Sequence, residues 1–265
     1  MKNLQDTDSN LGSLTSEKRN SFQFMTYENS KNKNISNVKL IAAIPCFNTQ
    51  DHIADVVTKT KKYVDEVIVV DDGSSDKTAD VARAAGARVI SHNVNMGYGA
   101  AVKSCFAAFQ NSAADILVII DGDGQHDPDE IPLLLNPVTN NLADFVIGSR
   151  FITDLSNMPR YRKFGIGVIT WLWNFGSKIK VTDTQSGFRV YKKNLLNDFE
   201  LVENGMSLSI EILEKIRKHK PIFLEVPITC SYENNNGHLT QKAFFHGVSV
   251  ACSVIKIRFK YAFKK

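Results

Sequence analysis

Residues Val118 to Pro132 read VIIDGDGQHDPDEIP, an apolar run suited to the interior of a sheet followed by five acidic side chains and one histidine. Asp121 and Asp123, separated by a single glycine, can turn together toward a divalent cation, and such hard oxygen ligands favour Mg²⁺ or Mn²⁺. Backbone freedom at Gly122 would let phosphate oxygens approach closely, and Gln125 could add an oxygen facing the metal. The competing reading is an acidic turn closed by Asx hydrogen bonds, a common arrangement. His126 invites a catalytic role, but its neighbours make an orienting or packing role the better expectation, with Asp127 capping a helix ahead of Pro128.

Two further clusters have the same character. Pro45-Cys46-Phe47-Asn48 and Asp71-Asp72 each follow an apolar run. Asp72 is placed to accept hydrogen bonds from a base N–H or a ribose hydroxyl, whereas Asp71 suits closure of the turn at Gly73. Asp76 reads as a helix cap, and Phe47 as either a face for a base or a core residue. Arg150 follows another apolar run, and Arg160, Arg162 and Lys163 precede the uncharged segment Phe164 to Ser177. Arginine grips phosphate through paired hydrogen bonds, so these residues could seat a phosphate beside an apolar tail. A solvated basic loop before a core helix is the plainer alternative. No G-x-S-x-G or G-x-x-x-x-G-K-[ST] motif occurs, and Gly97-Tyr98-Gly99 suggests a tight helix start more than a dinucleotide fingerprint.

These residues need a scaffold. VKLIAAIP (38–45), EVIVVDD, ARVISH, DILVII and DFVIGSR read as buried strands, the first ending at Pro45, and helix-length segments separate most of them. GFRVY and PIFLEVPI add later strands, and a helix is expected from about Leu208 to His219. The pattern predicts an α/β fold with an open, Rossmann-like, mostly parallel central sheet flanked by helices on both faces. In such a sheet ligands gather beyond the carboxyl ends of the strands, where all three clusters would converge.

With 265 residues and 43% apolar content, the chain suits one folded domain with appendages. Residues 1–36 are polar without an apolar run, which predicts a disordered arm and no signal peptide. The domain proper is expected over 37–232, with a C-terminal extension over 233–265. The four cysteines form no CxxC pair, which argues against a zinc cluster or disulfide framework and fits a reducing compartment. At 14 residues, the uncharged segment 164–177 falls short of the roughly 20 needed to cross a bilayer. From Thr240 onward a long helix is expected, although Ile255, Ile257, Phe259, Tyr261 and Phe263 alternate with a period that also fits a strand. With Lys256, Arg258, Lys260, Lys264 and Lys265, and with Trp171, Leu172, Trp173 and Phe175, they would suit an anionic membrane surface.

Taken in order, IPCFN, VIVVDDGSSDKTADVA, NMGYGAAV, VIIDGDGQHDP, VIGSRF and DTQSGFRVY resemble family 2 glycosyltransferases of the GT-A fold. The resemblance covers about residues 38–230 and is strongest to the polyprenyl-phosphate (dolichyl-phosphate) mannosyl- and glucosyltransferases. It implies hexose transfer from a GDP- or UDP-linked nucleotide sugar to a polyprenyl or dolichyl phosphate, with inversion. A saccharide or other hydroxyl acceptor, or a nucleotide-binding module without catalysis, are the alternatives. By the same resemblance Pro45, Phe47 and Asp72 line the nucleoside site and Asp121 meets the donor. Asp123 and Gln125 help hold Mg²⁺ or Mn²⁺, and Arg150 with Arg160 or Arg162 binds phosphate. Asp183, Gln185 and Ser186 approach the sugar or acceptor, with Asp183 the base for an alcohol. A cytoplasmic protein, peripheral to the cytoplasmic face of a membrane, is expected, and no nucleic-acid partner. The chain departs from the family pattern in lacking an acidic residue just after Asn48, an R-x-x-G-x-S-like ending in ENNNGHLTQKAFFHG, and C-terminal membrane helices.

Overall fold

Continuous apolar runs become the central strands. In the computed structural model, which describes residues 38–152, 155, 158–177, 179–197, 199–232 and 249–258, the strands are β1 (Leu40–Cys46), β2 (Glu66–Asp71), β3 (Arg88–Ser91), β4 (Ile116–Ile119), β5 (Phe145–Ser149), β6 (Arg189–Lys192) and β7 (Phe223–Pro227). They form one sheet in the order β3-β2-β1-β4-β6-β5-β7. Every pairing is parallel except those of β6, which runs antiparallel to both β4 and β5. The expected mostly parallel α/β sheet is therefore present.

That one reversal matters for the site. Arg189, the first residue of β6, lies opposite Ile119 near the end of β4 and Ile147 in β5. The segment that leads into β6, DTQSG, thus reaches the same sheet edge as the carboxyl ends of the parallel strands.

Along the chain the helices are α1 (Ile53–Thr60), α2 (Thr78–Ala84), α3 (Tyr98–Gln110), α4 (Ile131–Thr139), α5 (Arg160–Asn174), α6 (Lys193–Leu196) and α7 (Leu208–His219), then α8 at 249–258. Strand alternation divides the core between the two faces of the sheet. Ala42 and Ile44 pack with residues of α1, α2 and α4, whereas Ile41 and Ala43 join a cluster containing α3, α5, α6, α7 and α8. Buried Tyr191 anchors the second cluster, its ring 4.9 Å from Phe145 and 5.3 Å from Phe106.

Pro45 does not end β1, which runs on to Cys46. Its carbonyl accepts from Gly122 N–H at 3.2 Å, on the β4 side. In a strand the missing N–H would face that same side, where the β4 ladder has stopped at Ala43 opposite Ile119. No ladder bond is lost, so proline is tolerated inside a central strand.

In α8, Val250, Val254 and Ile257 are buried at helical spacing, which settles the period of this segment. Arg258 donates to the carbonyls of Leu172 (3.1 Å), Trp173 (2.6 Å) and Phe175, closing the C-terminal end of α5. Its guanidinium also lies 4.0 Å from the buried carboxylate of Glu214. Ile257 and Arg258 are therefore committed to the interior, which corrects their expected part in a lipid-facing tail. Residues 1–37, 233–248 and 259–265 lie outside the described residues, and with them the polar arm and the rest of that tail. Among the described residues no helix is long and apolar enough to cross a membrane.

Candidate active site

The loops after β1 and β2 are laced together. Asn48, in the left-handed region at φ 52°, accepts from Ser75 N–H at 2.9 Å through Oδ1, and its own N–H donates to Ser74 Oγ at 2.9 Å. Thr49 N–H donates to Thr78 Oγ1 at 2.8 Å, and Gln50 Oε1 accepts from Lys77 N–H at 3.1 Å. Asp76 caps as expected, accepting from Thr78 N–H at 2.9 Å. This frame leaves Phe47 45% exposed, with its ring available to a planar ligand, while Pro45 is buried within β1. Burial, reinforced by the charge of Asp71, pushes the Cys46 thiol up to about 12, so no nucleophile resides there.

Asp71 closes its turn, accepting from Ser74 N–H at 3.2 Å. Asp72 differs from the expectation. Its carboxylate is buried and accepts from Met96 N–H (3.0 Å) and Gly97 N–H (2.8 Å), with His92 Nδ1 at 2.6 Å. The oxygens expected to meet a base or ribose instead hold the 92–97 loop in place. Gly73, at φ 71°, allows that loop to pass: a Cβ there would stand 2.5 Å from the carbonyl carbon of Val94. Gly97 and Gly99 form the expected tight helix start, since a Cβ on Gly99 would lie 2.6 Å from the backbone of Asn204.

Beyond β4 the turn places Asp121 and Asp123 side by side. Asp121 Oδ1 is buried without a hydrogen-bond partner. Burial, and then the charge of Asp123, push the Asp121 carboxyl up to about 7, even though the Tyr98 hydroxyl shares a hydrogen bond with it. Asp123 accepts from Gln125 N–H at 3.0 Å, and Asp127 accepts from Asp129 N–H at 3.1 Å as the expected cap. Gly122 does not serve ligand approach. A Cβ there would meet Cys46 at 2.9 Å and Ile44 and Ile53 at 3.1 Å, so this glycine lets the strand ends pack closely. The positive-φ position is Gly124, at 74°, against the ring of His52. His126 packs as expected, its ring 5.6 Å from that of Phe188, and burial followed by the charge of Arg150 lowers it to about 3, so the ring is neutral.

The DTQSG loop is held from several sides. Asp183 is buried and receives Arg150 Nε at 2.7 Å and Nη2 at 2.9 Å. Glu225 accepts from the backbone N–H groups of Thr182 (2.8 Å) and Asp183 (3.2 Å). Arg189 donates to the carbonyls of Ser186 (2.8 Å) and Thr184 (2.9 Å). Arg150 and Asp183 therefore occupy each other, in place of the phosphate grip and the alcohol base expected of them. Ser186 is buried and its Oγ accepts from Phe188 N–H at 3.2 Å, leaving Gln185 as the partly exposed member of the expected trio.

Of the two candidate arginines on α5, Arg162 enters the site, donating to Gln125 Oε1 at 3.3 Å with its guanidinium 5.5 Å from the Tyr232 ring centre. Arg160 is exposed one half-turn away. Residues after β7 complete this wall: Ser231 N–H donates to the Gln125 carbonyl at 2.8 Å, and Thr229 N–H to Glu130 at 2.9 Å. Four contributors escaped the sequence reading: Tyr98, Gly187, Arg189 and Tyr232. Gly187 is the sharpest, because a Cβ there would lie 2.0 Å from Asp121 Oδ2. A charged residue inside the apolar strand GFRVY was the available signal for Arg189.

Among the described residues no group of three or more His, Cys, Asp or Glu side chains is gathered to cage a metal. A partnerless buried carboxylate oxygen beside a second carboxylate does fit a cation completed by ligand oxygens, the usual habit of Mg²⁺.

Comparison with known proteins identifies the family. Among curated proteins the chain is similar to a dolichyl-phosphate hexose transferase of Haloferax volcanii, 31% identical, covering 82% of this chain and 93% of that one. It is also similar to a UDP-N-acetylglucosamine–dolichyl-phosphate N-acetylglucosaminyltransferase of Methanococcus voltae, 30% identical, covering 71% and 84%. Among solved structures it shares the GT-A fold of Mycobacterium tuberculosis glucosyl-3-phosphoglycerate synthase in complex with Mn²⁺, UDP-glucose and phosphoglyceric acid. That likeness has a TM-score of 0.68 and 21% identity, over 84% of this chain and 80% of the other. Residues 41–205 match the family described as Glycosyl transferase family 2. The matched stretch runs from β1 to just ahead of α7 and includes each loop that meets at this edge except the one after β7, and the chain belongs to glycosyl transferase family 2.

Proposed function

We propose that the protein transfers a hexose from a GDP- or UDP-linked nucleotide sugar to an acceptor oxygen, inverting the anomeric centre. The observation that carries this is the Asp121–Asp123 pair at the end of β4, with its partnerless oxygen and its carboxyl pushed up to about 7. Asp121 and Asp123, with the Gln125 amide oxygen, would hold Mg²⁺ or Mn²⁺, which when bound neutralises charge gathering on the leaving diphosphate. Phe47 offers its exposed ring to the base, Arg162 offers charge to phosphate, and the Arg150–Asp183 pair fixes the loop that presents Gln185. The acceptor oxygen forms its bond to the anomeric carbon as the bond to the diphosphate oxygen breaks.

For the acceptor, a saccharide or other hydroxyl-bearing molecule is supported by the fold shared with a synthase solved with phosphoglyceric acid. A polyprenyl or dolichyl phosphate is supported by the curated relatives. One observation favours keeping this second reading. A hydroxyl must give up a proton, and Asp183 is a poor base while Arg150 pairs with it. A phosphate is already ionised near neutral pH and needs no base. Peripheral association with the cytoplasmic face of a membrane goes with that reading.

Incubating the chain with GDP- and UDP-sugars, Mn²⁺ or Mg²⁺, and either polyprenyl phosphate or a panel of hydroxyl acceptors separates the possibilities. Sugar on lipid or on hydroxyl identifies the acceptor, and nucleotide binding without turnover on any acceptor would leave only a binding module. A second test concerns the cradle of Asp121. Gly187→Ala is expected to keep the fold but abolish cation-dependent binding of nucleoside diphosphate, because the new Cβ occupies the space of Oδ2. Unchanged affinity by calorimetry would show that Asp121 is not part of the site.

A further inference from the structure

The aromatic segment expected to meet a membrane divides sharply between interior and surface. Trp173 is 1% exposed and sits in the core, whereas Phe164, Val168, Trp171 and Phe175 are exposed, at 75%, 37%, 63% and 70%. The spacing of Phe164, Val168 and Trp171 places them within one arc of roughly 60° on α5, at about 100° per residue, and Phe175, the residue that caps the helix, has its ring 5.9 Å from that of Trp171. Ile169, Thr170 and Trp173, the buried residues of the helix, lie on the opposite side. Among the described residues nothing crowds the helix beside this ridge, since a Cβ added at Gly165 or Gly167 would meet none of their atoms within 4 Å.

We propose that this ridge is the surface by which the protein docks on an anionic lipid membrane, with α5 lying in the plane of the headgroups. Charge on the helix fits that partner. The segment RYRKFGIGVITWLWN contains Arg160, Arg162 and Lys163 and no acidic residue. Arg160 is exposed one turn ahead of Phe164 and close to the same arc, and Lys163 is exposed beside it. An apolar ridge with cationic residues at one end is the pattern of an interfacial helix. A second copy of this chain fits less well: four side chains on one convex helix face fall far short of the roughly 20 residues per side of a stable interface.

Docking by this ridge does not depend on which acceptor is used, because lipid binding and not turnover reads it. Of the contact expected from the sequence, Phe175 and Trp171 keep their place at the surface, while Trp173 and Ile257 are buried and residues 259–265 lie outside the described residues. The position of Arg162 gives the docking a use: the helix on the lipid surface is the helix that donates to Gln125.

The chain has two tryptophans, one exposed and one buried, so Trp171 is a built-in reporter. With the full chain and vesicles containing phosphatidylglycerol, Trp171 emission is expected to shift to the blue and to be quenched by brominated acyl chains, and the shift is expected to vanish in Trp171→Phe. Phe164→Ser combined with Trp171→Ser and Phe175→Ser is expected to lower co-sedimentation by roughly tenfold or more. An unchanged thermal midpoint shows that this variant is folded, and single Trp171→Ser serves if the triple variant is not. Absence of both the shift and co-sedimentation in the wild-type chain overturns the proposal. So does co-sedimentation unaffected by these substitutions, or a dimer whose formation buries Trp171 without lipid.

Discussion

Asp123→Asn is expected to leave the fold intact and to cut turnover by at least about a hundredfold, close to 3 kcal/mol of the several that a bound cation supplies to a charged transition state. The folded state has little to lose, because Asp123 raises its neighbour's carboxyl and contributes no ion pair that the described structure depends on. Removing its charge relieves Asp121, so the thermal midpoint of the metal-free protein should hold or rise. The decisive readouts are kcat at saturating Mn²⁺ and the dependence of nucleoside diphosphate affinity on that ion. Turnover within about threefold of wild type, or full wild-type turnover after rigorous chelation, would remove the cation from the mechanism.

Arg150→Met is expected to destabilise the protein by about 3–5 kcal/mol, the usual cost of leaving a buried carboxylate without its partner. Both groups are nearly inaccessible, and the contact is a two-bond fork. Burial alone would raise Asp183, but the facing Arg150 and its hydrogen bonds outweigh burial and hold the carboxyl below the ordinary range. A carboxylate depressed in this way contributes stability that is fully present above its unfolded value, about pH 4. The contribution drains away as pH falls through the lower folded value. Urea titrations across that acid range should show the slope in wild type and a flatter limb in Asp183→Asn. Arg150→Met unfolding at the wild-type urea concentration would mean that the pair holds nothing together.

Which parts of this structure were legible in the chain follows from the range of the forces involved. Buried parallel strands need continuous apolar runs, so β1, β2, β4 and β5 stand out. Caps act over two or three residues, and Asp71, Asp76 and Asp127 do what their neighbours imply. Asp72 and Arg150 are different, because their partners lie 20 to 33 positions away and no local pattern shows that these partners consume the atoms meant for a ligand. Glycine is ambiguous for the same reason. The DGDG turn suggests that Gly122 opens space for phosphate, yet its missing Cβ makes room for Cys46, and Gly187, far along the chain, makes the room that Asp121 needs. Nor does GFRVY announce its direction, although the reversal of β6 is what brings DTQSG to the working edge.

The guanidinium that closes the C-terminal end of α5 arrives late. Arg258 is 83 positions after Phe175 and beyond β7, so during synthesis the seven described strands can assemble while these helix carbonyls await their donor. At about 5–20 residues per second the interval is roughly 4 to 17 s. Over that interval Ser177 N–H (3.0 Å) and Lys180 can already meet the Asn174 carbonyl, but the carbonyls of Leu172, Trp173 and Phe175 lack the guanidinium that takes them in the folded chain, so the final turn of α5 is expected to be the last to seat. A nascent chain stalled before Arg258 emerges should accordingly show protease cleavage near Phe175 while the strands resist, and release of the full chain should close that site.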